Sequence, residues 1–290
     1  MSYDYKRMKD ELFEITENNA DVNRFIIGKS VMGKELYGVS FGKGTKKIFL
    51  SGAYHGLEYL TSVFLIKFLD EYIKHTKNND IWFGYNTKKL YESTTLYVVP
   101  MVNPDGVDIA IHGLDITNPH HRHLISVAGI HSFNEVWQAN ANGVDINHNF
   151  NANWEMTVNT PSPTKYGGEF CESEPETKAV TDFIRKENFD ALAAFHSQGR
   201  EIYYDFDGMA SQKAQNIAER MAKESGYAVA HPVGSASYGG CKDWFIKEFG
   251  KLGFTIEIGK GKNPLPLSMI NDIFEENAKI ALCLMDECVG

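Results

Sequence analysis

His55 and Glu58 stand three residues apart in SGAYHGLEYL (51–60), where the apolar run Ile48-Phe49-Leu50 stops at Ser51 and Gly52 and a helical apolar pattern begins. An imidazole nitrogen and a carboxylate oxygen on such a strand-to-helix turn can converge on one cation. Zinc accepts both, and a catalytic zinc takes three protein ligands and keeps one place open for water. His196, in AFHSQG, ends a second apolar run and is the candidate third ligand. On spacing alone, a His and a Glu so placed are more often an exposed helix pair. Their position at a strand end, and a second strand-end histidine, favour a metal.

The elements that must position these residues follow from hydrophobic periodicity. Helical spacing runs through Met8, Leu12, Phe13 and Ile15. Short β-like runs, RFIIGKS, ELYGVSFG and KKIFLSG, fill residues 24–50. Tyr59–Lys74 reads as a helix and Thr95–Pro100 as a buried strand. Residues 103–172, rich in Asn, Gly and Pro, read as mostly irregular, and so long an irregular stretch is usually functional. SEPE (173–176) reads as a capping box, with Ser173 as the cap and Glu176 as its reciprocal partner. Ala191–Phe195 and Gly253–Ile258 read as strands, Ser211–Ser225 and Met269–Val289 as helices. Strands alternating with helices predict an α/β fold: one domain over 1–290, with a mixed, mostly parallel twisted central sheet flanked by helices. In such sheets ligands gather at the carboxyl ends of strands, where His55, His196 and Glu257 fall.

Composition bounds the function. The net charge of -9 argues against a nucleic-acid partner, which wants a basic face. No apolar run reaches the ~20 residues of a membrane span, and the polar N-terminus lacks a signal-peptide core, so a cytoplasmic protein is expected. Cys171, Cys241, Cys283 and Cys288 fit neither a metal knuckle nor a disulfide framework. His75 and His231 suggest surface or packing roles. His120, His121 and His123, in PHHRH, read as a solvated loop.

His55-x-x-Glu58, Asn103-Pro104-Asp105-Gly106, GVDINHNF (143–150), HSQG (196–199) and FTIE (254–257) occur in an order that resembles the zinc carboxypeptidases. SFNEVWQANANGVD (132–145), KYGGEFCESEPE (165–176), GGCKDWFIKEFG (239–250) and KGKNPLPLS (260–268) resemble the γ-D-glutamyl-L-diamino acid endopeptidase branch, which cleaves bacterial cell-wall peptides. The resemblance implies one zinc per chain held by His55, Glu58 and His196. It implies that Asp145 orients the first histidine and that Glu257 is the general base.

The same resemblance exposes departures. The carboxypeptidases clamp a terminal carboxylate with an Asn-Arg pair; here the matching residues are Asn147 and His148. Two further arginines are replaced by Gln138 and Leu57. These losses put C-terminal trimming in doubt and leave His148, Gln138 and Asn142 as candidate oxyanion donors. Gap-free counting back from Glu257 through Asp243-Trp244 puts Lys242 at the floor of the side-chain pocket, where an ammonium would choose a carboxylate. Tyr238 lies close to the flexible tyrosine of the carboxypeptidases, though not in strict register. The expected activity is hydrolysis of γ-D-glutamyl–diaminopimelate bonds in peptidoglycan-derived peptides. Alternatives are a zinc carboxypeptidase or amidase for another acidic peptide, or a non-catalytic cell-wall peptide-binding protein. Oligomeric state is left open.

Overall fold

The computed structural model describes residues 2–129, 131–231 and 238–289, and the side chain of His120 lies outside that set. Its centre is an eight-stranded mixed sheet. The chain enters through helix α1 (Tyr5–Glu17) and strands β1 (Asn23–Lys29), β2 (Glu35–Gly42) and β3 (Lys46–Gly52). Helix α2 (Tyr59–Asn78), a two-residue hairpin of β4 (Ile81–Trp82) and β5 (Tyr85–Asn86), and α3 (Thr87–Ser93) lead to β6 (Thr94–Val99). Next come α4 (Pro104–His112) and a long connection carrying α5 (Leu124–Ala128) and α6 (Phe133–Val136). Then follow α7 (Pro175–Glu187), β7 (Ala191–His196), β8 (Glu201–Tyr203), α8 (Gln212–Ser225) and β9 (Ala228–Val229). Helix α9 (Cys241–Phe249), β10 (Leu252–Glu257) and α10 (Ile270–Val289) close the chain.

The strand order is β1-β2-β6-β3-β7-β10-β8-β9. The central four, β6, β3, β7 and β10, are mutually parallel, and β1, β2 and β8 join antiparallel. Side chains alternate across the sheet because the strand period is two. Ile48 and Leu50 of β3, Ala193 and Phe195 of β7, and Phe254 and Ile256 of β10 pack on one face with α1, α2, α8 and α10. Phe49, Leu192 and Ala194 pack on the other with α7 and α9. The same alternation turns Thr255 and Glu257 away from the first core. Among the described residues, no helix is long and apolar enough to cross a membrane.

One expectation needs correction, the capping box. The stretch 103–172 is mostly irregular, as expected, and α4 opens it. Asn103 caps that helix, its Oδ1 accepting from Gly106 N at 2.9 Å, and Pro104 takes the first turn, where its missing N–H costs nothing. The SEPE capping box does not form. Glu174 holds the N-cap position of α7, and Ser173 Oγ donates to Glu174 Oε1 at 2.8 Å. Glu176 is drawn into a tertiary contact instead. Its Oε1 accepts from Val31 N at 3.0 Å and its Oε2 from Asn140 Nδ2 at 3.1 Å.

Glu176 is fully buried, and burial pushes its carboxyl up to about 8 despite those donors, with the Asp105 carboxylate adding to the push. The folded chain therefore holds a proton that the unfolded chain releases. The stability tied to this proton is full below about 4.5 and is lost as pH rises towards about 8. Glu176→Gln keeps an acceptor for Val31 N and has no proton to lose. Urea unfolding should show the parent losing about 3–5 kcal/mol relative to the variant over that range. Parallel pH profiles would mean that Glu176 does not titrate there.

Candidate active site

The turn that follows β3 is shaped by its neighbours. Asn103 Nδ2 donates to Tyr54 O (3.0 Å) and Gln138 O (3.2 Å), and Asn103 N donates to Ala53 O (2.9 Å). Gly56 is squeezed between two segments: a Cβ there would lie 2.4 Å from Gly106 O and 2.8 Å from Trp137 O. Thr61 Oγ1 donates to Glu58 O at 2.7 Å and accepts from Ala53 N at 2.7 Å. The NPDG stretch thus both starts α4 and fixes the loop that presents His55.

Glu58 holds the N-cap position of α2, yet its carboxylate makes no capping bond. It faces the histidines. His55 Nδ1 lies 2.9 Å from Glu58 Oε1, and His196 Nδ1 lies 3.1 Å from Oε2. Ser197 N and Asn263 Nδ2 also donate to this carboxylate, at 3.1 and 3.3 Å. His55, Glu58 and His196 each offer one ligand atom within 4.8 Å of the others. Two imidazole nitrogens and one carboxylate oxygen, held by a rigid strand and two turns, fit a catalytic zinc.

The far side of His55 fits as well. Its Nε2 lies 3.1 Å from Oδ1 of the fully buried Asp145, leaving Nδ1 for a metal. Asp145 Oδ2 accepts from Lys165 N at 2.7 Å. Burial pulls the pKa of His55 down, but Glu58 and Asp145 raise it well above its usual value. Burial likewise opposes ionisation of Asp145, and His55 and His148 overcome it, holding that carboxyl well below the carboxylate range. Both carboxylates therefore favour positive charge between them.

Glu257 ends β10 directly beside His196 of β7 and directly opposite Glu201 of β8. Burial first, then the carboxylates of Glu58 and Glu201, push its carboxyl well above the usual range. It opens into a cavity of about 390 Å³, whose walls include Asn147, Glu201, Tyr203, Lys242 and Thr255. Lys242 is buried, so a solvated surface lysine is excluded. Its Nζ contacts the Asp243 carboxylate and donates to Asp205 O. Asn147 Oδ1 accepts from Cys241 N at 3.0 Å and so anchors the start of α9, which carries Lys242.

Other expected site residues are placed differently. His148 is buried beside Asp145, with Nδ1 2.8 Å from Tyr238 O and Nε2 3.9 Å from Asp145 Oδ2. Burial keeps its pKa below the usual value. Tyr238 enters this network through its carbonyl. Gln138 reaches the metal loop through its backbone, its carbonyl accepting from Gly56 N at 3.1 Å. The Asn142 amide donates to Glu174 Oε2 at 2.8 Å, which removes it from the oxyanion candidates. Leu57 packs in an apolar cluster with Trp137 and Leu124. His75 packs on Trp82, with ring centroids 4.6 Å apart, as expected. His231 is exposed, as expected, and stands at the cavity wall.

Glu201, Tyr203 and Asn263 were not anticipated. For Glu201 and Tyr203 a signal existed, because Glu201-Ile202-Tyr203 alternates polar and apolar just after the strand-end histidine. For Asn263 there was none, since its reach to Glu58 is a tertiary contact.

The model of the zinc carboxypeptidase family matches residues 8–280. The chain belongs to the zinc carboxypeptidase family. This zinc metallopeptidase is 36% identical over 286 residues to γ-D-glutamyl-L-diamino acid endopeptidase 1 of Lysinibacillus sphaericus, covering 97% of this chain and 72% of that one. It is 33% identical over 285 residues to the uncharacterized protein YqgT of Bacillus subtilis (strain 168), covering 96% and 76%. In structure the peptidase is similar to thrombin activatable fibrinolysis inhibitor, with a TM-score of 0.80 at 21% identity over 100% of this chain and 75% of that one. The α/β fold with a mixed central sheet is thus the fold of zinc carboxypeptidases.

Proposed function

We propose that the peptidase hydrolyses γ-D-glutamyl–diaminopimelate amide bonds in peptidoglycan-derived peptides. The observation that carries this reading is the cavity beside Glu257: among the described residues no arginine lines it, and a buried lysine does. The resemblance to the Lysinibacillus sphaericus endopeptidase supports it. A free C-terminal carboxylate has no guanidinium to meet here, while a side-chain carboxylate in the cavity meets Lys242.

In this reading His55, Glu58 and His196 hold the zinc, and Asp145 fixes the tautomer of His55. Zinc, when bound, supplies Lewis-acid polarisation of the amide carbonyl and makes water more acidic. Glu257 accepts the proton of the attacking water and returns it to the leaving amine, a role suited to a carboxylate of raised proton affinity. Asn147 and Lys242 face the leaving residue. Among the remaining candidates, His148 and Gln138 border the metal loop, and Tyr238 borders His148.

Mass analysis of products from defined muropeptides, with and without a chelator, tests the bond cleaved. On a stem that continues beyond diaminopimelate, release of the terminal residue alone would instead favour a carboxypeptidase. The same assay tests Lys242. The parent should prefer diaminopimelate to lysine as leaving residue by about ten- to a hundredfold in kcat/KM, since lysine lacks the distal carboxylate. Lys242→Met should lose most of that preference. An unchanged preference would mean that Lys242 serves only to bind Asp243 and Asp205.

A further inference from the structure

The cavity beside Glu257 carries more negative charge than Lys242 can balance. Three carboxyl groups line it, those of Glu201, Asp243 and Glu257, against one ammonium and the exposed His231 imidazole. Lys242 is already in contact with Asp243. A purely anionic side chain would therefore enter a field that opposes it. A side chain with both an anion and a cation at its end would not, because its two charges can align with the two walls.

Glu201 is built to face such a cation. The β8–β10 register sets Thr255 opposite Tyr203 and Glu257 opposite Glu201, while Ile202 turns into the core. The polar side chains of both strands thus share one face, and that face is a cavity wall. The Tyr203 hydroxyl donates to Glu201 Oε2, which orients the carboxylate. Glu201 Oε1 has no hydrogen-bond donor among the described residues. Like charges directly opposite on paired strands are destabilising, so the Glu201–Glu257 pair is a cost the sheet carries without a structural return.

We infer that Glu201 reads the distal ammonium of a diamino-acid leaving residue, while Lys242 reads the carboxylate on the same carbon. This rests on the function proposed above and extends it. The cavity is matched to a zwitterionic side-chain terminus rather than to an acidic or a basic one.

The experiment compares γ-D-glutamyl peptides whose leaving residue is diaminopimelate or 2-aminopimelate, which keeps the distal carboxylate and lacks the distal amine. Zinc-loaded parent and Glu201→Gln are assayed side by side. The variant keeps an acceptor for Tyr203. Removing a charge beside Glu257 affects both substrates alike, so the ratio of their kcat/KM values is the readout. The parent should favour diaminopimelate by about ten- to a hundredfold, and the variant by less than about threefold. Calorimetric titration with free diaminopimelate and 2-aminopimelate should give the same pattern in affinity. Equal use of both peptides by the parent, or an undiminished preference in Glu201→Gln, overturns the assignment to Glu201 and leaves the proposed bond intact. Failure of the parent to cleave either peptide overturns both.

Discussion

Glu257→Gln is expected to keep its zinc and to lose about 10²–10⁴-fold in kcat. Glutamine preserves the shape of the strand end and cannot accept a proton. The residue's surroundings make it the group most responsive to this change. It lies beside His196 and opposite Glu201, at the mouth of the cavity, and its proton affinity is already raised by burial and by two nearby carboxylates. Metal analysis and single-turnover kinetics on purified protein separate the two halves of the expectation. The thermal midpoint should not fall, because the substitution removes a like-charge contact across β8 and β10. A near-parental rate at full zinc content would move the proton transfer to another group.

His196→Ala should fall from about one zinc per chain to under a tenth after dialysis, with activity reduced more than a hundredfold, since even partners one step removed from a metal typically contribute 10–100-fold. His196 is the last residue of β7, buried, with its Nδ1 3.1 Å from Glu58 Oε2. Its loss leaves only His55 and Glu58 of the set. Elemental analysis reads the occupancy directly, and far-UV circular dichroism confirms the fold. Full zinc occupancy in the variant would show that the metal is held elsewhere.

The candidate metal set was legible in the sequence because His196 ends an apolar run, His55 follows another by a short turn, and Glu58 lies three residues beyond His55. A strand that ends on a polar, metal-capable side chain is unusual enough to notice, and the parallel order of β3 and β7 then brings residues 55 and 196 together. Motif resemblance singled out Asp145, Lys242 and Glu257, and the structure places Asp145 against His55 and the other two at the cavity wall. Glu201 was not legible, although its neighbours alternate cleanly. The role proposed for it depends on which residue it faces across β8 and β10, and register is a property of pairing that no single strand encodes. The capping box at 173–176 failed for a related reason. Ser-x-x-Glu is a local pattern, and Val31 and Asn140, both distant in sequence from Glu176, claimed that carboxylate first. Helix α4 announced itself with Asn103, Pro104 and Asp105, but the Asn- and Gly-rich residues beyond it masked the signal.

The proposed zinc ligands and Asp145, the residue proposed to orient His55, travel on different parts of the chain. His55, Glu58 and His196 belong to the sheet and its immediate turns, whereas Asp145 arrives on the long connection between α4 and α7, tied back by Lys165 N and Tyr166 O. A sheet assembled without that connection would hold the three ligands but leave His55 free to spin and to choose the wrong nitrogen. If Asp145 has the role proposed for it, metal affinity would gauge how well the connection that also carries Asn147 is docked against the sheet.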